Sequence, residues 1–207
     1  LNQSLYASAV AHPSNIDAQQ IVAKLILIGR TYSASVERRK TKGKRPDKRR
    51  GLEVIIQAAV EIAKSGIDAM ISEVDLETRL SYETVPEAGS IHTELCAALC
   101  KANGRENSSF ASKYLHFHRP HFFPIVDSIV REGWSWVIED VGESSRGWTT
   151  FSKVSNYPQW CKKVIRLQET LERDLKVSIT LREVDNYLLS VMSSDGRGGW
   201  GLPRLLG

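Results

Sequence analysis

Ser108–Trp134 reads SSFASKYLHFHRPHFFPIVDSIVREGW, and its spacing decides the reading of the chain. Phe110, Lys113, Tyr114 and Phe117 recur at i, i+3, i+4 and i+7, one face of a helix predicted over Phe110–His118. Pro120 and Pro124 bound a turn, and a second helix is expected from about Ser128 to Glu139. Lys113 therefore stands where the pattern calls for an apolar residue. A lysine held against aromatic rings is partly desolvated, which favours the neutral amine and its nucleophilic lone pair. The other reading is a stem packed on the apolar face with its amine reaching water. Asp127 poses the same question, flanked by Ile125, Val126, Ile129 and Val130. As the N-cap of the second helix it would receive backbone N–H groups and stay ionised. Such a carboxylate in an apolar cleft suits the stabilisation of the cation that develops when a glycosidic bond breaks.

Outward from this stretch, the pattern is helical. Apolar residues at Ile16, Ile21, Val22, Leu25, Ile26 and Ile28 predict a helix over Asn15–Arg30, with Tyr32–Arg39 extending it or forming a short second one. Leu52–Lys64 is helical and stops at Ser65-Gly66. A helix around Asp68–Arg79 follows, and Pro86–Gly89 reads as a break. Ser90–Lys101 is a helix capped by Ser90 and stopped at Asn103-Gly104. Glu143–Gly147 is a polar loop. Tyr157–Leu175 is a long amphipathic helix that tolerates Pro158 in its first turn. Leu181–Met192 opens on Thr180 with Glu183 three residues later, a capping-box spacing. Apart from a short strand that Lys176–Thr180 has room for, no segment alternates as a strand does, and the expected class is all-α.

The chain has 207 residues, 42% hydrophobic and 25% charged, the balance of an ordinary globular protein. It contains no apolar run of membrane-spanning length, and its first residues show no secretory pattern. Cys96, Cys100 and Cys161 are an odd set that argues against a disulfide framework, so buried thiols in a reducing, cytoplasmic setting are expected. The net charge of +4 conceals an asymmetry. Arg38, Arg39, Lys40, Lys42, Lys44, Arg45, Lys48, Arg49 and Arg50 crowd thirteen residues with a single acid, leaving 19 basic against 23 acidic residues elsewhere. So dense a run, broken by Gly43 and Pro46, predicts a solvated loop whose natural partner is a polyanion. His116, His118 and His121 do not share ligand spacing with a cysteine or carboxylate pair, and no metal is expected.

A lysine on a short helix, an apolar segment, Pro124, a short apolar step, Asp127 and a further helix resemble the helix-hairpin-helix DNA glycosylases. The resemblance is to their 8-oxoguanine glycosylase-like branch, and it covers Ser108–Trp134 tightly. It implies a two-lobed helical glycosylase-like fold with a helix-hairpin-helix-like element and a cleft between lobes. One domain over 1–207 would comprise lobes at about 14–100 and 101–192, the basic loop 38–50 and a tail 193–207. Asp127 would assist departure of the base, and Lys113 would attack the sugar C1′ in a bifunctional enzyme with lyase activity. Pro124 would set the turn before Asp127.

The implied partner is double-stranded DNA carrying a damaged or modified base, bound by a monomer in base excision repair or in defence against modified phage DNA. Without a four-cysteine cluster no iron–sulfur centre is expected, and no cofactor is needed. The hairpin region reads NGRENSS, so Arg105, Asn107, Ser108 and Ser109 would join the basic loop on the phosphates. Tyr32, Tyr114, His116 and His118 are candidates for the pocket that receives the flipped base. Two other classes compete: a non-catalytic nucleic-acid-binding helical module, and a helical protein–protein adaptor built on Leu52–Lys64 and Trp160–Leu175.

Overall fold

The computed structural model describes residues 2–37, 50–137 and 156–193. Among these residues the protein is all-α, with nine helices and no strand. They are α1 Asn2–Ala11, α2 Ala18–Thr31, α3 Gly51–Lys64, α4 Ile67–Ser72, α5 Val85–Asn103, α6 Ser108–His118, α7 Ser128–Val137, α8 Tyr157–Leu175 and α9 Leu181–Ser193. The basic stretch Arg38, Arg39, Lys40, Lys42, Lys44, Arg45, Lys48 and Arg49 lies outside the described residues, as do the Glu143–Gly147 loop and the tail beyond Ser193. Arg50 is described, exposed at the start of α3. None of the described helices is long and apolar enough to cross a membrane.

The helix ends follow from local chemistry. Asp17 caps α2, its carboxylate accepting from the Gln19 amide at 2.8 Å, so the helix begins three residues later than the apolar pattern suggests. Thr180 and Glu183 close the capping box at α9, with the Thr180 amide donating to Glu183 Oε2 at 2.7 Å and the Glu183 amide to Thr180 Oγ1 at 3.2 Å. Gly104, at φ 69°, ends α5 in the left-handed region.

Two local readings are corrected. Pro86–Gly89 is no break: Pro86 sits in the first turn of α5, where its missing N–H costs nothing. Gly89 is the place where α8 comes close, since an added Cβ would lie 2.7 Å from Pro158 Cγ. The helix begun near Asp68 stops at Ser72 rather than Arg79. The chain then turns, and the Leu80 amide donates to the His121 carbonyl at 2.9 Å. Helix α1 carries no amphipathic signal in the sequence.

α5 is the central element, packed against α3, α4, α6 and α8, while α2 lies on α3 and α6, and α7 lies on α9. The core joins Ile21, Ile62, Ile91, Leu95, Tyr114, Phe122, Phe123, Trp134 and Trp160, all essentially without exposure. Each large side chain so removed from water stabilises the fold by about 1.5–3 kcal/mol before entropy is counted. α6 is buried on every side, which leaves its two ends to communicate with solvent.

Candidate functional site

Phe123–Val126 is a non-helical segment inside the core, and its backbone is held by side chains from two helices. The His116 Nδ1–H donates to the Phe123 carbonyl at 2.8 Å, Tyr157 Oη to the Pro124 carbonyl at 2.9 Å, and Trp160 Nε1 to the Ile125 carbonyl at 2.8 Å. The Val126 amide donates to Ser112 Oγ at 3.0 Å. Buried backbone groups left unpaired would each cost about 1–3 kcal/mol, so these four bonds fix the segment's path. That path delivers Asp127 to the start of α7.

Asp127 there performs two tasks. Its Oδ1 accepts from the Ile129 and Val130 amides, both at 3.0 Å, as an N-cap. Its Oδ2 accepts from Lys113 Nζ at 2.9 Å, and Lys113 also donates to Ser109 Oγ at 2.9 Å. The lysine side chain is 3% exposed and the carboxylate 19%, so the pair sits at the inner end of an opening. Burial alone would raise the Asp127 carboxyl. The Lys113 ammonium and the two amides outweigh it and hold the group below the usual carboxylate range. The Lys113 ammonium also lies 5.3 Å from the centroid of the Tyr32 ring.

The opening is a cavity of about 390 Å³ between the end of α2, the α5–α6 turn and the start of α7. Tyr32, Arg105, Ser109, Lys113, Asp127 and Arg131 are among its lining residues. Four of the residues expected at phosphates, Arg105, Asn107, Ser108 and Ser109, thus come together at the same mouth as Lys113 and Asp127. Asn107 has a local task as well: its amide and that of Asn103 exchange hydrogen bonds at 3.0 and 3.1 Å, and Asn103 Oδ1 accepts from the Arg105 amide at 2.9 Å. This clasp gives the four-residue turn between α5 and α6 a fixed shape.

Of the four aromatic candidates for the base pocket, only Tyr32 lines this cavity. Tyr114, His116 and His118 face the core instead, because α6 has no open side. Tyr114 Oη donates to Asn15 Oδ1 at 2.6 Å, His116 Nε2 accepts from Tyr6 Oη at 2.8 Å, and His118 Nε2 lies 3.3 Å from the buried Lys24 ammonium. No group of three metal-ligating side chains converges among the described residues. Cys96 and Cys161 are buried free thiols whose acidity burial suppresses.

Sequence reasoning missed a second buried carboxylate behind the cavity. Asp185 on α9 is 6% exposed and ion-paired with Arg182, which also reaches Tyr32 Oη at 3.4 Å. Nothing in the local pattern of α9 signals this, since Tyr32 stands some 150 residues away.

The buried histidines make stability depend on pH. Burial lowers His92 and His116 to about 4 and His118 to about 3, so the folded state excludes protons that the unfolded chain binds near 6.5. The unfolded state then holds more protons between these values, and stability falls as pH drops from about 6.5 to 4. Asp185, raised to about 6 by burial, acts in the opposite sense and offsets part of the loss. Urea midpoints measured at pH 7 and pH 4.5 are expected to fall markedly at the lower value, and each of His116→Gln and His118→Gln should flatten the slope.

Comparison with known protein families, curated proteins and solved structures finds no match to this chain.

Proposed function

We propose that the protein is a DNA glycosylase, which flips a damaged or modified base out of the duplex and cleaves its N-glycosidic bond. The observation that carries this reading is the buried Lys113–Asp127 pair, opening into a polar cavity edged by Arg105 and Arg131. A cavity of about 390 Å³ is within the usual range for small-molecule sites and admits a nucleoside. The α5–turn–α6 unit is read as the helix-hairpin-helix-like element of a two-lobed fold, with the cavity as its cleft. The Arg38–Arg50 run would add phosphate contacts along the duplex.

The chemistry follows from the two side chains. As the C1′–N bond breaks, the base leaves with the bonding electron pair and the sugar becomes oxocarbenium-like. Asp127, fixed as an anion by two amides, stabilises that cation. Water then adds to C1′ and gives its proton, by way of Asp127, to the departed base, leaving an abasic site. In the bifunctional course Lys113 gives one proton to the departing base and its amine attacks C1′ in place of water; Asp127 takes the next proton and returns it to O4′ as the C1′–O4′ bond opens. The resulting imine leads on to strand cleavage.

The test is a panel of duplexes, each with one modified base, incubated with the protein and then treated with hot alkali. Strand breaks at one modified position support the reading, whereas DNA binding without abasic product across the panel identifies a non-catalytic binding module. Borohydride added during turnover is expected to trap a covalent protein–DNA adduct that Lys113→Ala abolishes. Excision without any adduct would make water the nucleophile.

A further inference from the structure

Asp185 is a buried carboxylate that the chemistry above leaves unused. Arg182, one turn earlier on α9, pairs with it and also donates to Tyr32 Oη at 3.4 Å. Tyr32 ends α2, lines the cavity and places its ring 5.3 Å from the Lys113 ammonium. Lys113 in turn holds Asp127 at 2.9 Å. A continuous series of contacts thus runs from α9 through α2 to α6 and ends on the carboxylate before α7. Its two cations, Arg182 and Lys113, flank the Tyr32 ring, and an anion closes each end. Asp127 acts electrostatically on both Asp185 and Tyr32, so the two ends of the series sense one another. With Asp185 neutralised, Arg182 would lose its counter-ion and be free to leave Tyr32 Oη.

We propose that Asp185 is a positioning residue of the Lys113–Asp127 site: it holds Arg182 on Tyr32, so that the Tyr32 ring keeps the Lys113 ammonium against Asp127. The part of this that concerns reaction rests on the glycosylase reading; the coupling among the four charges does not. Facing Asp185 are Arg182 on its own helix, Tyr6 from α1, Tyr32 from α2, Lys113 from α6 and Asp127 from the α6–α7 segment. Burial is the strongest influence and holds its carboxyl at about 6; Arg182 and Lys113 pull it down, and Asp127 pushes it up.

Two measurements on the full chain test the proposal separately. In the first, carbon-13 NMR of aspartate carboxyls should show a step near pH 6 that disappears in Asp185→Asn. Its midpoint should move down in Asp127→Asn, which removes a repulsion, and up in Lys113→Met, which removes an attraction. A midpoint indifferent to both overturns the coupling. In the second, a duplex with a preformed abasic site is incubated with borohydride at saturating protein. The Lys113 amine condenses with the sugar aldehyde, water is lost, and hydride reduces the imine to a stable amine.

Asp185→Asn, which is nearly isosteric, should slow trapping about tenfold at a temperature well below its melting transition, while the dissociation constant for the duplex holds. Asp185→Glu should restore part of the rate. Tyr32→Phe should add little to Asp185→Asn, because both cut the same series of contacts. Equal trapping rates in Asp185→Asn and the wild type overturn the positioning role. Absence of any wild-type adduct overturns attack by Lys113 instead, and the NMR midpoints then decide the coupling alone.

Discussion

Asp127→Asn is expected to lower base excision by at least about a hundredfold on whichever duplex of the panel the wild type processes, with duplex binding retained. The substitution separates the two tasks of this side chain. An asparagine oxygen still accepts from the Ile129 and Val130 amides, which now meet Asp127 Oδ1 at 3.0 Å, so the start of α7 stays capped. The negative charge is lost, and with it both the stabilisation of a sugar cation and the partner of Lys113. Leaving the ammonium with only Ser109 Oγ and the Tyr32 ring costs about 1–3 kcal/mol of stability, a few degrees in melting temperature. Assays well below the melting transition therefore isolate the chemical effect. Rates are compared by alkali-revealed strand breaks, and binding by anisotropy on the same duplex. Excision by Asp127→Asn within tenfold of the wild type would remove this carboxylate from the reaction.

Gly133→Ala should cost more stability than the same change at Gly29, Gly51, Gly66 or Gly89. A Cβ at this position of α7 would fall inside contact distance of the Leu188 carbonyl oxygen on α9, and the neighbouring backbone atoms of Leu188 leave it no escape. A flexible side chain yields; a helix backbone has to move as a unit. The expected cost is about 3 kcal/mol, a fall of about 10 °C in melting temperature, after the helix-propensity gain of alanine is subtracted. Gly66→Ala is the control, because its methyl meets nothing within 4 Å. The clash has a further effect. α7 carries Asp127 at its start, and α9 carries Arg182 and Asp185. Pushing these helices apart should also weaken the response of the Asp185 titration to Asp127→Asn. A variant as stable as the wild type would show that α7 and α9 approach less closely than described.

Much of the helical layout is written in local pattern. α3, α6, α8 and α9 stand within two residues of where periodicity and capping residues put them, because each carries its own stop or start signal: Ser65-Gly66, Pro120, Pro158, or Thr180 with Glu183. Pro86 misleads because the same residue that breaks a helix interior also opens a helix. α1 escapes notice because its apolar residues follow no period, and only tertiary contact buries Leu5 and Ala9.

The site divides along the same line. Lys113 and Asp127 are conspicuous as charges in apolar settings, and their meeting follows from the short connection between α6 and α7. His116 and His118 draw attention for the same reason but serve the core, since periodicity cannot say which face of a wholly buried helix meets a cavity. Tyr32, Arg182 and Asp185 come together only through folding.

The clasp at the α5–α6 turn bears on how the protein ages. Asn-Gly is the dipeptide in which the glycine nitrogen most readily attacks the preceding side-chain amide, closing a succinimide and releasing ammonia. At Asn103-Gly104 that nitrogen is engaged with the Cys100 carbonyl at 2.7 Å, while the Asn103 amide is bound to Asn107, Val36 and the Arg105 backbone. Deamidation at the turn is therefore suppressed in the native state and released by each excursion into the unfolded one, so the chemical lifetime of this bend is set by conformational stability.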